Sequence, residues 1–467
     1  MAEDTETVVL AMVDPLDKFT PSAIGIATGR KVRLEVAVPL ELEAALNRLY
    51  PEAEPTRDAE AGDVVLEDDT DRLKDLASEA PVIRFVNHLI TRAVETKASD
   101  IHIEPFEDRL RVRYRYDGVL HEIDAPPRHL APAVTSRIKI MARLDIAERR
   151  LPQDGRINMA VRGQEVDFRV STIPSLHGET VVLRILDRTA VVFDYSRLGL
   201  SAAVIRKFQS SLELPNGIVL VTGPTGSGKT TTLYTGLLAL NSMTRKVVTV
   251  EDPIEYQLDG INQIQVRAQI GLTFANLLRS ILRQDPDVIM VGEIRDGETA
   301  RIAVQAALTG HLVLSTLHTN SAAAAIPRLH DMGVEDYLLT AVLRGVMAQR
   351  LVRRLCLECR RPELAPAELV ERFRLDRHAP GRPVTLWHPV GCPACRETGY
   401  NSRMAIAEFL EISPQVERLI FAHADQRSIE KAAVAAGMET MLEAGLESVL
   451  RGETSIAELT CSVSAEA

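Results

Sequence analysis

Aromatic side chains make up only 4% of this 467-residue chain, too few for the stacked platforms on which single-stranded nucleic acid is bound. Basic charge is also short. The 65 acidic residues outnumber the 54 basic ones and leave a net charge of −11, which disfavours a nonspecific nucleic-acid surface. No nucleic-acid partner is expected. No apolar run approaches the ~20 residues that a membrane span needs. The start, Met1-Ala2-Glu3-Asp4, is acidic where a signal peptide is basic and then apolar. The chain is therefore expected to be cytoplasmic and to meet a membrane only through partners. Cysteine is sparse: of five, four form the pairs Cys356/Cys359 and Cys392/Cys395, and Cys461 stands alone. In a reducing cytosol such pairs read as metal ligands and not as disulfides.

What is present is enough apolar residue, 46%, for more than one hydrophobic core, so about two to four domains are expected. Residues 1–50 read as a small unit with a strand at Val8–Met12 and a helix at Pro39–Leu49. Residues 51–80 are acidic and poor in large apolar side chains and read as a solvated linker. A second domain, 81–195, opens with helical spacing over Val82–Glu95 and continues with strand-like segments at Ile101–Glu104, Leu110–Tyr116, Ile157–Val161, Val166–Ser171 and Val181–Leu186. Arg109, Arg111, Arg113 and Arg115 alternate with apolar residues, the pattern of one solvated face on a half-buried sheet. In the third domain, 196–355, the apolar strands Ile218–Thr222, Val247–Glu251, Val288–Gly292 and Leu312–Leu317 are separated by helices. That order predicts an α/β fold with a mostly parallel sheet covered on both faces.

The first of those strands runs into Gly223-Pro224-Thr225-Gly226-Ser227-Gly228-Lys229-Thr230 and then a helix, Thr231–Leu240. This is a P-loop in the strand–loop–helix setting that the motif requires. Its glycines let the backbone wrap phosphates, and its N–H groups and the helix N-terminus make an anion cradle. Lys229 would reach the β- and γ-phosphates of ATP, and the Thr230 hydroxyl would ligate Mg²⁺. Three further segments place NTPase chemistry at strand ends. The strand Val248–Val250 delivers Glu251, Asp252 and Glu255 to the sheet edge where ligands bind. The strand Val288–Gly292 ends in Glu293, a Walker-B pattern whose carboxylate can polarise water or hold Mg²⁺ through water. His311 and His318 bracket the strand Leu312–Leu317; His318 stands at the end where a γ-phosphate would lie, and His311 reads equally well as structural. A helix over Thr273–Gln284 carries Arg279 and Arg283 on one face. They are candidates to neutralise the transferring phosphoryl group, or else plain surface arginines.

These motifs, with Ala98-Ser99-Asp100-Ile101-His102-Ile103-Glu104-Pro105, Arg150-Leu151-Pro152-Gln153-Asp154-Gly155-Arg156 and Asp167-Phe168-Arg169-Val170-Ser171-Thr172, resemble the traffic ATPases of secretion and type IV pilus systems over nearly the whole chain. Leu176-His177-Gly178-Glu179 and the four paired cysteines look most like the ATPase of the type II secretion system; the type IV pilus assembly (extension) ATPase is the alternative. The resemblance implies a RecA-like P-loop ATPase domain with a smaller PAS-like α+β domain. It adds a short N-terminal α+β unit, a remnant of a partner-docking domain, and a C-terminal zinc-binding helical lobe (356–400 around the cysteines, 401–467 helical). It implies a homo-hexameric motor at the inner membrane that works through the cytoplasmic domain of an inner-membrane secretion protein and an inner-membrane platform protein. It also implies catalytic roles for Glu293 and Glu251 and phosphate contacts from Arg169, Arg184, Arg279 and Arg283.

The cysteine pairs are 32 residues apart, and two CxxC knuckles suit a closed, structural Zn²⁺ site. An iron–sulfur cluster and redox pairs are the alternatives. Cys461 reads as a free thiol.

Overall fold

A computed structural model describes residues 2–3, 7–12, 19–37, 80–186, 193–377 and 383–463. The helix expected at 39–49 and the acidic linker before residue 80 lie outside the described residues. The chain divides into two units, Met1–Asp68 and Asp69–Ala467. In the first, β1 (Ala2–Glu3) pairs antiparallel with β2 (Thr7–Met12), which lies parallel to β3 (Lys31–Val36); the helix Phe19–Thr28 makes the crossover. Val8 and Leu10 are its buried strand positions.

The larger unit begins with a six-stranded sheet in the order β6-β5-β4-β9-β8-β7. Its strands are β4 (Asp100–Pro105), β5 (Leu110–Tyr116), β6 (Val119–Asp124), β7 (Gln153–Val161), β8 (Gln164–Ser175) and β9 (Gly178–Leu186). All neighbours are antiparallel. The helices Ala80–Glu95 and Ala131–Ala142 share its core, with Val86, Leu89 and Ile138 packed among Ile101, Val112 and Phe168. Strand β6 and the second helix left no clear signal in the sequence: Val119–Asp124 buries none of its six residues. The arginines of β5 do face away from the core, as the alternation predicts. They are not simply solvated, because Arg113 pairs with Glu104 at 2.7 Å and Arg111 with Glu122 at 2.9 Å across the strands.

The second sheet has seven strands in the order β12-β11-β13-β14-β10-β15-β18. These are β10 (Gly217–Thr222), β11 (Val247–Glu251), β12 (Asn262–Gln265), β13 (Val288–Val291), β14 (Leu312–Leu317), β15 (Leu343–Leu355) and β18 (Tyr400–Glu411). Six run parallel, and β18 closes one edge antiparallel to β15. Every residue of β10, β11, β13 and β14 is buried, as expected for strands covered on both faces. Cores lie on both sides, one around Phe208, Tyr234 and Phe409, the other around Leu278, Ile326 and Val449.

One expectation needs correction. The stretch after residue 400 does not start as helix. Tyr400–Glu411 is the sheet's edge strand, with seven consecutive buried residues from Met404 to Leu410. Such a buried run, apolar but for Glu408, fits a covered strand as well as a helix. The pairing with β15, invisible locally, decides it. Four helices follow, from Pro414 to Ser462. A short hairpin, β16 (Arg361–Leu364) with β17 (Thr385–His388), lies between the cysteine pairs.

Candidate functional site

Strand order brings the nucleotide residues together. β14 lies between β10 and β13, so the segment after β14 falls between the P-loop and the Walker-B carboxylate. Thr319 donates its N–H to Thr222 Oγ1 at 2.8 Å, tying that segment to the end of the P-loop strand. His318 Nε2 then stands 3.3 Å from Glu293 Oε2.

The P-loop backbone needs its glycines. Gly223 has φ +147° and Gly228 +87°; a Cβ on Gly223 would meet the Gln349 carbonyl at 2.4 Å. The helix Lys229–Leu240 starts two residues earlier than the apolar pattern suggests, inside the motif. Its N-cap is Gly228, which supplies no side-chain cap. Its first N–H groups are thus left for an anion. The Ser227 hydroxyl is buried and without a partner. Lys229 Nζ donates to the carbonyls of Gly223 (2.8 Å) and Pro224 (3.0 Å), so it lies folded over the loop mouth. Burial lowers its pKa, and Glu293 partly offsets this. Thr230 is the second residue of the helix. These features fit a nucleotide's phosphates, with Thr230 as the residue to hold Mg²⁺.

Glu293 sits two residues past β13, only 14% exposed, and pairs with Arg295 as well as with His318. Burial works against its charge, but Arg295 and then His318 outweigh burial and hold the carboxyl below the usual glutamate range. Glu251 is different. It ends β11 at 3% exposure, and both its oxygens are taken: Tyr234 donates to one, and Thr249 (2.6 Å) and Gln263 (3.0 Å) to the other. Burial raises the Tyr234 pKa, with Glu251 adding to it, so that phenol is a proton donor.

The arginines divide. Arg169, on β8, reaches across to Glu255 with two bonds of 3.3 Å, joining the smaller sheet to the acidic loop after β11. Arg184 instead pairs with Asp100 (3.0 Å). Arg279 pairs with Glu298 (2.5 Å), and Arg283 donates to the Arg279 carbonyl. These three are engaged with groups other than the P-loop. His311 bonds the Ala306 carbonyl at 2.8 Å, which is the structural role.

Gln349 was not singled out from the sequence. On β15 at 1% exposure, it donates to the Ser227 carbonyl (2.7 Å) and accepts from Thr232 (2.8 Å). It clamps the P-loop to the helix that follows. The signal was there: an amide amid Val346, Met347, Ala348 and Val352, all buried. A buried amide is retained only where its bonds are made. Gln349→Ala orphans one carbonyl and one hydroxyl, at about 1–3 kcal/mol for each group left unsatisfied. The expected result is a lower urea midpoint with unchanged m-value, and a raised KM for nucleotide.

The four paired cysteines converge. Their sulfurs lie 3.8 Å (Cys356–Cys392), 3.8 Å (Cys359–Cys395) and 3.7 Å (Cys392–Cys395) apart. Thiolates held ~2.3 Å from one tetrahedral zinc stand about 3.8 Å from each other. Gly391 donates its N–H to Cys359 (3.3 Å), and Cys392 and Gly399 donate to Cys395 (3.2 Å each). Burial opposes ionisation of Cys395, but those N–H groups outweigh it and bring the thiol down to about 7. The donor set fits zinc. Cys461 is an exposed free thiol.

Among the described residues no helix is long and apolar enough to cross a membrane. The family model described as "Type II/IV secretion system protein" matches residues 75–461, and that of the "MshEN domain" matches residues 1–56. The chain is 55% identical over 454 residues to the type II secretion system protein E of Xanthomonas campestris pv. campestris, covering 96% of this chain and 80% of that one. It is 44% identical to the type IV pilus assembly ATPase PilB of Myxococcus xanthus, covering 97% and 82%. Among solved structures, the ATPase DotB of Legionella pneumophila matches with a TM-score of 0.59 at 23% identity over 81% of this chain and 94% of that one. The pilus retraction motor PilT matches with 0.52 at 25% identity over 80% and 95%.

Proposed function

Because the chain belongs to the Type II/IV secretion system protein family, we propose that it hydrolyses ATP to energise protein export by a type II secretion system, through pseudopilus assembly. The observation that carries the choice of system is the 55% identity to a type II protein E over 96% of the chain, against 44% to a pilus assembly ATPase over a similar length.

The chemistry follows from the site. The P-loop N–H groups and Lys229 would hold the phosphates, and Thr230 would hold Mg²⁺, which would supply charge to neutralise the phosphoryl group. Glu293, ionised and anchored by Arg295 and His318, orients the attacking water and accepts its proton. Its low pKa makes it a weak base, so orientation is the larger part of its task. His318 lies between Glu293 and the loop and positions the carboxylate. Glu251, with both oxygens occupied, fixes the strand end beneath the acidic loop. Arg169 already meets that loop. Arg184, Arg279 and Arg283 would join the phosphates only when domains close, within a homo-hexamer docked at the inner membrane through a cytoplasmic domain of a membrane partner and acting on a platform protein. An isolated chain should therefore be a slow enzyme.

The test is the steady-state ATPase rate per chain as protein concentration rises, with and without the cytoplasmic domain of a type II inner-membrane partner. A rate that climbs with concentration and again with that partner is expected. A rate indifferent to the type II partner but raised by the corresponding pilus protein would move the chain to pilus assembly.

A further inference from the structure

Away from the P-loop and the cysteines, the ends of three helices that share one core gather a second set of metal-binding side chains. His330 lies near the end of the helix Ala325–Asp331, Asp336 opens the helix Asp336–Val342, and His423 stands in the turn after the helix Pro414–Phe421. One ligand atom from each lies within 4.8 Å of the other two. His330 Nε2 is 2.6 Å from Asp336 Oδ1, and His423 Nε2 is 2.6 Å from Asp336 Oδ2.

The arrangement is not set up by the sequence locally, since His423 is far along the chain. It is set up by packing. Leu329, Leu339, Val416 and Ile420 of the three helices are buried in one core, which brings the ends of those helices together. Backbone geometry then aims the last ligand. His423 has φ +50°, the left-handed region that histidine enters more readily than most residues.

Two imidazoles on one carboxylate could be a plain hydrogen-bonded bridge. The geometry argues otherwise. A hydrogen bond wants the donor N–H aimed along the line to its acceptor. Yet His330 Nε2 and Asp336 Oδ1 are both buried and neither has a hydrogen-bond partner, although they are 2.6 Å apart. The oxygen lies off the axis of the ring nitrogen. Zinc ligands held at ~2.0–2.1 Å in a tetrahedral shell stand about 3.3 Å apart, so an ion would widen this 2.6 Å contact and give the two unpartnered atoms a shared partner.

We propose that His330, Asp336 and His423 form a second divalent-metal site, distinct from the four cysteines and suited to a borderline first-row cation, Zn²⁺ foremost. Two imidazoles and one carboxylate are a recurrent zinc donor set that leaves a position for water. Mg²⁺ and Ca²⁺ prefer all-oxygen shells. His423 is 70% exposed, which supplies a route of entry; His330 and Asp336 are 19% and 17% exposed, which limits competition from water. The ion would staple the turn between residues 331 and 336 to the turn after residue 421. That fastens the C-terminal helices to the segment that leads into β15, the strand bearing Gln349.

Co²⁺ titration of the metal-stripped full chain tests this, because the two sites differ in colour. Cobalt in a four-thiolate site shows sulfur-to-metal charge transfer in the near ultraviolet; a His₂Asp site shows only weak visible bands. The parent chain is expected to take up two equivalents, one with and one without the thiolate band. His423→Ala alters an exposed turn and should keep the first equivalent and lose the second. Asp336→Asn keeps the side chain's shape and should do the same. A parent chain that takes up only the thiolate-bound equivalent overturns the proposal, as does a second equivalent that survives both substitutions.

Discussion

Glu293→Gln is expected to leave nucleotide binding intact while turnover falls by about 10²–10⁴-fold, the usual contribution of a positioned acid–base group. The amide has the same shape and keeps an oxygen for Arg295, so the segment after β13 should not move. What it loses is charge and basicity. Glu293 is held below the usual glutamate range, chiefly by Arg295 acting against burial, so the parent presents a full negative charge close enough to be felt by Lys229. Removing that charge also removes its repulsion of the γ-phosphate. Affinity for ATP should therefore hold or tighten. Fluorescent-nucleotide titration beside a phosphate-release assay separates the two effects. If affinity collapses together with turnover, Glu293 is a direct magnesium ligand and the water-orienting role passes elsewhere.

How far this site was legible depended on whether a residue acts along the chain or across it. The P-loop, the strand ends at Glu251 and Glu293 and the position of His318 are local: an apolar run, then a polar residue at its carboxyl edge. Each was readable because the strands are buried on both faces and so stand out as unbroken apolar runs. Gln349 was not readable as functional, since its partners, Thr232 and the Ser227 carbonyl, lie more than a hundred residues earlier. Glu251 was legible in place but not in character. Nothing in Val247–Glu251 announces that Tyr234 and Gln263 will occupy its oxygens. The same limit misassigned Tyr400–Glu411, a strand only by virtue of β15. The arginines show it again: one helical face held Arg279 and Arg283 together, but Glu298, on the next helix, engages the first.

The cysteines offer the other large effect, and here the spacing alone pointed to zinc while the structure supplies the consequence. Cys392→Ser is expected to cost the chain one zinc equivalent, because a hydroxyl is a far poorer zinc ligand than a thiolate. Apparent zinc-binding free energies in small structural sites run to about 10–16 kcal/mol and are folding energy there. In this chain the damage should be local. Cys356 directly follows β15, and Cys395 precedes β18 by a few residues; those strands pair over most of their length within the large core without help from metal. What depends on zinc is the segment between the pairs, whose hairpin β16–β17 buries little. It carries the chain's single tryptophan, Trp387, with the Arg360 guanidinium 4.5 Å from the ring centroid. A Cβ on Gly452 would come within 2.6 Å of that ring, so the indole packs closely on the C-terminal helices. Tryptophan emission thus reports on the zinc lobe and its seat on those helices. In the variant, the emission should shift to the red and melt well below the far-ultraviolet circular dichroism transition, whereas the parent should show one coincident transition. A strong chelator should reproduce the variant's behaviour in the parent. If the two transitions stay coincident in the variant, the lobe holds its shape without the ion. If emission and far-ultraviolet signal are lost together at a much lower temperature, the zinc supports the whole ATPase sheet through β15 and β18.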